Sequence, residues 1–102
     1  MERKPTHPGE VLLHEFIEPM GLTQAKLSKH LGWTYARLNE IVNGKRGITA
    51  NSAIDLSEAF GTSIDFWLNL QMAYEVWEAK KVHKQIKLIS SVLGNKNNQL
   101  SY

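Results

Sequence analysis

Apolar residues recur at helical spacing through most of this chain, and glycine closes the repeat at Gly21, Gly32, Gly44 and Gly61. No stretch alternates apolar and polar residues as a half-buried strand would. A chain punctuated in this way folds as a set of short helices. Pro8, whose fixed φ and missing N–H suit a first helical position, precedes Val11, Leu12, Phe16 and Ile17, which predicts a helix over about 8–18, stopped by Pro19 and Gly21. Thr23 and Thr34 can each accept hydrogen bonds from the free N–H groups of a following helix, with Leu22/Leu27 and Trp33/Leu38 placed as hydrophobic staples. Ile48 and Thr49 introduce a fourth helix with Ala53, Leu56, Ala59 and Phe60 inward, and Ser63 caps a fifth with Asp65 in its first turn. The expected class is all-α: a compact five-helix bundle with a C-terminal helical extension.

With 102 residues, 42% of them hydrophobic, the chain can form one core and not two. The expected division is a folded domain over 7–80 and a basic extension over 81–102, partly helical and then frayed beyond Gly94 in NKNNQLSY. The fifth helix, 64–77, has apolar residues over more than the single stripe that one core contact requires. Its second face fits another copy of the chain, with Phe66, Leu70, Tyr74 and Trp77 as the interface, because a two-fold contact uses one patch twice. The alternative cover is the tail itself, whose Val82, Ile86, Ile89 and Val92 or Leu93 are loosely amphipathic. The homodimer is the preferred reading.

Charge is informative through its distribution. Residues 19–48 carry Lys26, Lys29, Arg37, Lys45 and Arg46 against Glu40, whereas residues 49–79 carry Asp55, Glu58, Asp65, Glu75 and Glu78 with no cation. Residues 1–18 are mildly acidic, and 80–102 hold five lysines and no acid. One basic stretch on an otherwise acidic body suggests a local anion-binding surface. No apolar run is long enough for a membrane span, and MERKPTHPGE lacks the apolar stretch of a secretion signal, so the expected setting is cytoplasmic with no membrane partner. Zero cysteine excludes disulfides, thiolate metal sites and cysteine nucleophiles.

The second and third helices, joined by LGW, form a helix-turn-helix unit. Once Leu27, Leu31, Leu38, Ile41 and Val42 are committed to the core, the third helix presents Tyr35, Ala36, Arg37, Asn39, Glu40 and Asn43 outward. Gln24 and Thr34 lie at helix starts, where backbone N–H groups favour a phosphate, and Lys45 and Arg46 lie just past the third helix. These ten residues are the candidate contacts to duplex DNA, because basic charge, helix starts and polar side chains meet on one surface.

The segments HPGEVLLHEFIEPMGLTQAKLSKHLG, NGKRGITANSAIDLSEAFGTS and FWLNLQMAYEVWEAKK, with the turn and third helix between them, resemble the HigA-type antitoxins, also known as virulence-associated protein I, of the phage-repressor-like helix-turn-helix superfamily. The likeness runs from His7 to Lys80. It implies a dimeric repressor that binds its own operator and neutralises a co-encoded mRNA-cleaving toxin. It further implies that Gln24 contacts phosphate and orients the reading helix, that Thr34 is a phosphate-contacting cap, and that Asn43, Lys45 and Arg46 hold backbone phosphates. Tyr35 and Ala36 depart from the arginine or glutamine common among relatives. Ala36 can offer only a methyl, suited to a thymine methyl, which leaves Tyr35, Arg37 and Asn39 as hydrogen-bonding readers. Glu40 would repel phosphate unless it accepts from a cytosine amino group or pairs with Arg37. A basic toxin would dock on the acidic blocks at Glu10 to Glu18 and Asp55 to Glu78.

Other chemistries are weak. His7, His14, His30 and His83 are scattered, with no pair at metal-ligand spacing, so no metal or cofactor is implied. The carboxylate pairs Glu15/Glu18 and Asp55/Glu58 fit solvated helix faces, no nucleophile or phosphate-loop motif occurs, and no catalytic residue is assigned. Two rival functions remain: a toxin-sequestering interaction protein whose helix-turn-helix is mostly scaffold, and a freestanding regulator of the same superfamily.

Overall fold

The computed structural model describes residues 3–93. The expected frayed end, NKNNQLSY, lies outside the described residues. Among the described residues there are six α-helices: α1 (Pro8–Leu12), α2 (Gln24–Leu31), α3 (Tyr35–Val42), α4 (Ala50–Phe60), α5 (Ile64–Lys80) and α6 (Ile89–Leu93). The class is all-α as expected, with six helices in place of five because the extension contributes α6. The first expected helix is also not uniform, since α1 continues as a π-helix over Leu13–Ile17. In this wider turn Glu18 N–H donates to the Leu13 carbonyl at 2.9 Å, five residues back. Ile17 is buried beyond it, and the Phe16 ring lies 4.9 Å from that of Phe60 and 5.3 Å from that of Trp67.

Cap chemistry follows the sequence. Thr23, Thr34, Thr49 and Ser63 each accept from the backbone N–H three residues on, at 3.0 to 3.2 Å. An unforeseen fifth cap is His7, whose Nδ1 accepts from Gly9 N–H at 2.9 Å. Gly32 closes α2 with φ of 74°, the left-handed geometry that turns the chain sharply into α3. Leu12, Leu27, Trp33, Leu38, Ile41, Leu56 and Trp67 then meet in one core drawn from α1 to α5. Leu22 packs on that core, to which Leu27, Trp33 and Leu38 belong.

Helix α5 is oriented by Trp67, which is fully buried and donates from Nε1 to Thr62 Oγ1 at 2.7 Å. This rotation turns parts of the expected second face toward the chain itself. Leu70 packs against the chain's own core, Tyr74 meets the His7 ring edge-on at 4.8 Å, and Trp77 is half-buried with Lys81 Nζ 3.8 Å from its ring centre. Of the four residues expected on that face, Phe66 is exposed and Leu70, Tyr74 and Trp77 are half-buried. The outward apolar surface instead centres on Met72 and Val76, beside Ala73 and Ala79. The tail does not cover it: Val82, Ile86, Leu88, Ile89, Val92 and Leu93 are all exposed. Among the described residues no helix is long and apolar enough to cross a membrane.

Candidate nucleic-acid interface

The helix-turn-helix pair presents the N-terminal half of α3 to solvent. Tyr35 is 54% exposed and Ala36 is exposed beside it, both at the start of a helix whose opposite side, Leu38 and Ile41, is sealed in the core. Nothing in the chain competes for the Tyr35 ring face or the Ala36 methyl among the described residues. Thr34 is also exposed, and its Oγ1 is held by Arg37 N–H at 3.1 Å, which leaves its hydroxyl hydrogen free to donate.

A network of side-chain amides sets the angle between the two helices. Asn39 Nδ2 donates to Gln24 Oε1 at 3.0 Å, bridging α3 to the first residue of α2. Asn43 Nδ2 donates in turn to the carbonyl and the side-chain oxygen of Asn39, at 2.9 and 3.1 Å. Gln24 is thereby tied to α3 through its Oε1 and keeps its own Nε2 hydrogens for another partner. Asn39 and Asn43 are engaged within the protein, so either must exchange a partner to meet a base or a phosphate.

Arg37 is more constrained than its outward sequence position suggested. Its Nη2 donates to Ser52 Oγ at 2.8 Å, and its guanidinium carbon lies 4.1 Å from the centre of the Trp33 ring. Trp33 Nε1 donates onward to Asp55 Oδ2 at 2.8 Å, so a π-stacked, hydrogen-bonded set ties α3 to α4. Beside it opens a polar cleft of about 560 Å³, lined by Arg37, Arg46, Asn51 and Ser52 at the start of α4. Reasoning from sequence missed this set, since its members stand 15 and 22 residues apart.

Glu40 pairs with Arg46, Oε1 to Nη2 at 2.6 Å, and not with Arg37. The cause is the backbone. After Gly44 the chain doubles back, so that Lys45 N–H and Arg46 N–H both donate to the Glu40 carbonyl, at 2.8 and 3.2 Å. Arg37 is meanwhile occupied by Ser52 and Trp33. Arg46 is therefore partly neutralised, whereas Lys45 is exposed and takes no ion pair among the described residues. Lys26 and Lys29 are likewise exposed on α2. The cationic ridge survives as three lysines plus a compensated arginine.

The ridge rests on two side chains to which sequence reasoning gave no such role, Gln71 of α5 and His7 before α1. Gln71 Oε1 accepts from Ile48 N–H at 2.7 Å, just beyond the Lys45–Arg46 loop. His7 underlies the same loop: a Cβ on Gly44 would lie 3.9 Å from its ring. Burial pushes the His7 imidazole below its usual range; Glu10 opposes that shift and Lys4 adds to it. Each had a signal. His7 directly precedes a proline at a helix start, and Gln71 is a polar residue one turn after Trp67 on an inward stripe.

Comparison with known proteins agrees with this geometry. A family model described as helix-turn-helix matches residues 13–67. Virulence-associated protein I of Dichelobacter nodosus is 42% identical over 88 residues, covering 86% of this chain and 82% of that protein. Antitoxin HigA-1 of Vibrio cholerae is 36% identical over 84 residues, covering 82% of this chain and 79% of that protein. Among solved structures, the Pseudomonas aeruginosa antitoxin HigA with the higBA promoter superposes with a TM-score of 0.74 at 33% identity, over 93% of this chain and 96% of that one. With more than half its length matched by the family model and some four-fifths of each relative spanned, this chain belongs to the helix-turn-helix family, in the group of virulence-associated protein I and the HigA antitoxins.

Proposed function

We propose that this protein is the antitoxin of a toxin–antitoxin pair, a homodimer that represses its own operon and neutralises a co-encoded mRNA-cleaving toxin. The observation that carries the DNA half of this reading is the exposed start of α3, Tyr35 and Ala36, flanked by the unpaired Lys45 and by the helix starts at Gln24 and Thr34. A related HigA bound to its promoter supports the same reading. In this account α3 enters the major groove. Tyr35 and Ala36 meet base edges directly, while Arg37, Asn39 and Glu40 contribute by exchanging an internal partner for a base. Gln24, Thr34, Asn43, Lys45 and Arg46 position the protein on backbone phosphates.

Dimerisation uses the outward face of α5. Met72 and Val76 are exposed on that face, with Phe66 exposed nearer the start of the helix, and in this reading a second copy covers them so that two α3 helices meet successive major grooves, with half-sites about 34 Å apart. The toxin, basic as an RNA-binding protein should be, docks on the acidic stretches Glu10 to Glu18 and Asp55 to Glu78, where Glu10, Glu15, Glu58 and Asp65 are exposed. Two measurements test the whole reading. Mobility shift with a duplex from upstream of its own gene should give a specific complex, and co-expression should rescue growth arrest by the protein encoded next to it. Rescue without a shift would favour a toxin-sequestering protein with a scaffold helix-turn-helix; a shift without rescue would favour a freestanding regulator.

A further inference from the structure

The loop that carries Lys45 and Arg46 is fixed at both ends, and the two anchors belong to different parts of the molecule. Its first anchor is α3 itself, through the Glu40 carbonyl that accepts from Lys45 N–H and Arg46 N–H. Its second is α5. Gln71 Oε1 accepts from the Ile48 N–H at 2.7 Å, and Gln71 Nε2 donates to Glu75 Oε2 at 2.9 Å, so the amide is oriented from both sides. Gly47 lies flat against that amide: a Cβ there would stand 2.7 to 2.9 Å from three of its atoms. Gln71 is 9% exposed, so the Ile48 N–H it satisfies has no ready replacement in water.

We propose that Gln71, held by Glu75, is the positioning residue that sets the Lys45–Arg46 loop for its phosphate contacts. The same turn of α5 carries Met72 outward, 59% exposed, with Val76 one turn on. This inference rests on reading Lys45 and Arg46 as DNA contacts. Its mechanical half, a loop latched by Gln71, can be read in the free protein.

The full-length protein is titrated with its upstream duplex by fluorescence anisotropy over a salt series, as wild type, Gln71→Met, Glu75→Ala, and the exchanged pair Gln71→Glu with Glu75→Gln. Gln71→Met removes both hydrogen bonds and should weaken binding about tenfold while lowering the salt slope by roughly two units, the share of one phosphate contact per protomer. Glu75→Ala, at an exposed position, leaves folding intact and should weaken binding about threefold by releasing the amide. The exchanged pair restores an acceptor for Ile48 N–H and a donor to its partner, and should return affinity to within about twofold of wild type. A purely structural role for Gln71 would change melting temperature and leave the salt slope of the folded protein alone. Amide hydrogen exchange completes the test: Ile48 should exchange far faster in both single variants while Leu56 stays protected. Wild-type slope and wild-type Ile48 exchange in Glu75→Ala would overturn the proposal, whether or not Gln71→Met folds. Failure of the wild type to bind DNA would sink the functional reading instead, and Ile48 exchange would still decide the latch.

Discussion

Arg37 stacks on Trp33, 4.1 Å from guanidinium carbon to ring centre, and the same guanidinium donates to Ser52 on α4. A residue expected to reach for DNA is thus a strut between two helices of its own protein. Replacing it should show first in stability. Arg37→Ala should cost about 1–2 kcal/mol in urea unfolding, from the lost stack and hydrogen bond together. Arg37→Lys should recover less than half, because an ammonium lacks the planar fork. Equal stability of all three proteins would remove the strut and return Arg37 to the groove.

Glu40 holds Arg46 at 2.6 Å on a half-exposed surface. Exposed pairs of this kind contribute little to folding, so Glu40→Gln should change stability by less than about 0.5 kcal/mol. Freed from its carboxylate, Arg46 should tighten operator binding roughly fivefold at low salt, with the gain fading as salt rises. Weaker binding would mean that Glu40 reads a cytosine amino group, and the loss should then vanish when that base pair is changed.

His7 caps α1 only while its Nδ1 is unprotonated. Burial holds its pKa below the ordinary 6.5, so the unfolded chain takes up a proton before the folded one does. Its contribution to stability is complete above pH 6.5 and declines as pH falls from there through the lower folded value. Thermal melts should show that decline, and His7→Asn, which can cap without titrating, should flatten it. A wild-type melting temperature that rises on acidification across this window would reverse the sign and refute the capping role.

Met72 and Val76 face outward at 59% and 44% exposure. Light scattering during gel filtration should give a dimer mass for the wild type and a monomer mass for Met72→Glu combined with Val76→Glu. The variant should melt within a few degrees of a wild-type sample diluted to monomer, since neither side chain belongs to the core. A dimer that survives both changes would place the two-fold contact elsewhere, with the exposed tail residues Ile86 and Ile89 next in line.

Much of the fold was legible because it is written locally. Thr23, Thr34 and Ser63 act on N–H groups three residues away, and Gly32 acts on its own φ, so the sequence carries those signals in full. The rotation of α5 was not legible. Its apolar residues lie on several sides, and only packing reveals that Trp67 faces inward and takes Tyr74 with it, leaving Met72 outside. The candidate site divides in the same way. Tyr35, Ala36 and Lys45 are exposed as their positions implied, whereas Arg37 with Ser52 and Gln71 with Ile48 are bonds across 15 and 23 residues that only the folded chain creates. Glu40 had two cations within reach along the chain, and the backward turn after Gly44 decided for Arg46.

The central claim is that a lysine-rich edge held out beside α3 grips a DNA backbone, and the salt dependence of binding measures that grip directly. For the wild type, the logarithm of affinity for its upstream duplex should fall linearly against the logarithm of salt concentration, with a slope of about −4 to −8 for a dimer that neutralises several phosphates. Lys45→Ala should lower that slope by about two, one contact per protomer, and weaken binding to every duplex alike. A slope near zero, or a Lys45→Ala protein indistinguishable from wild type, would contradict the account.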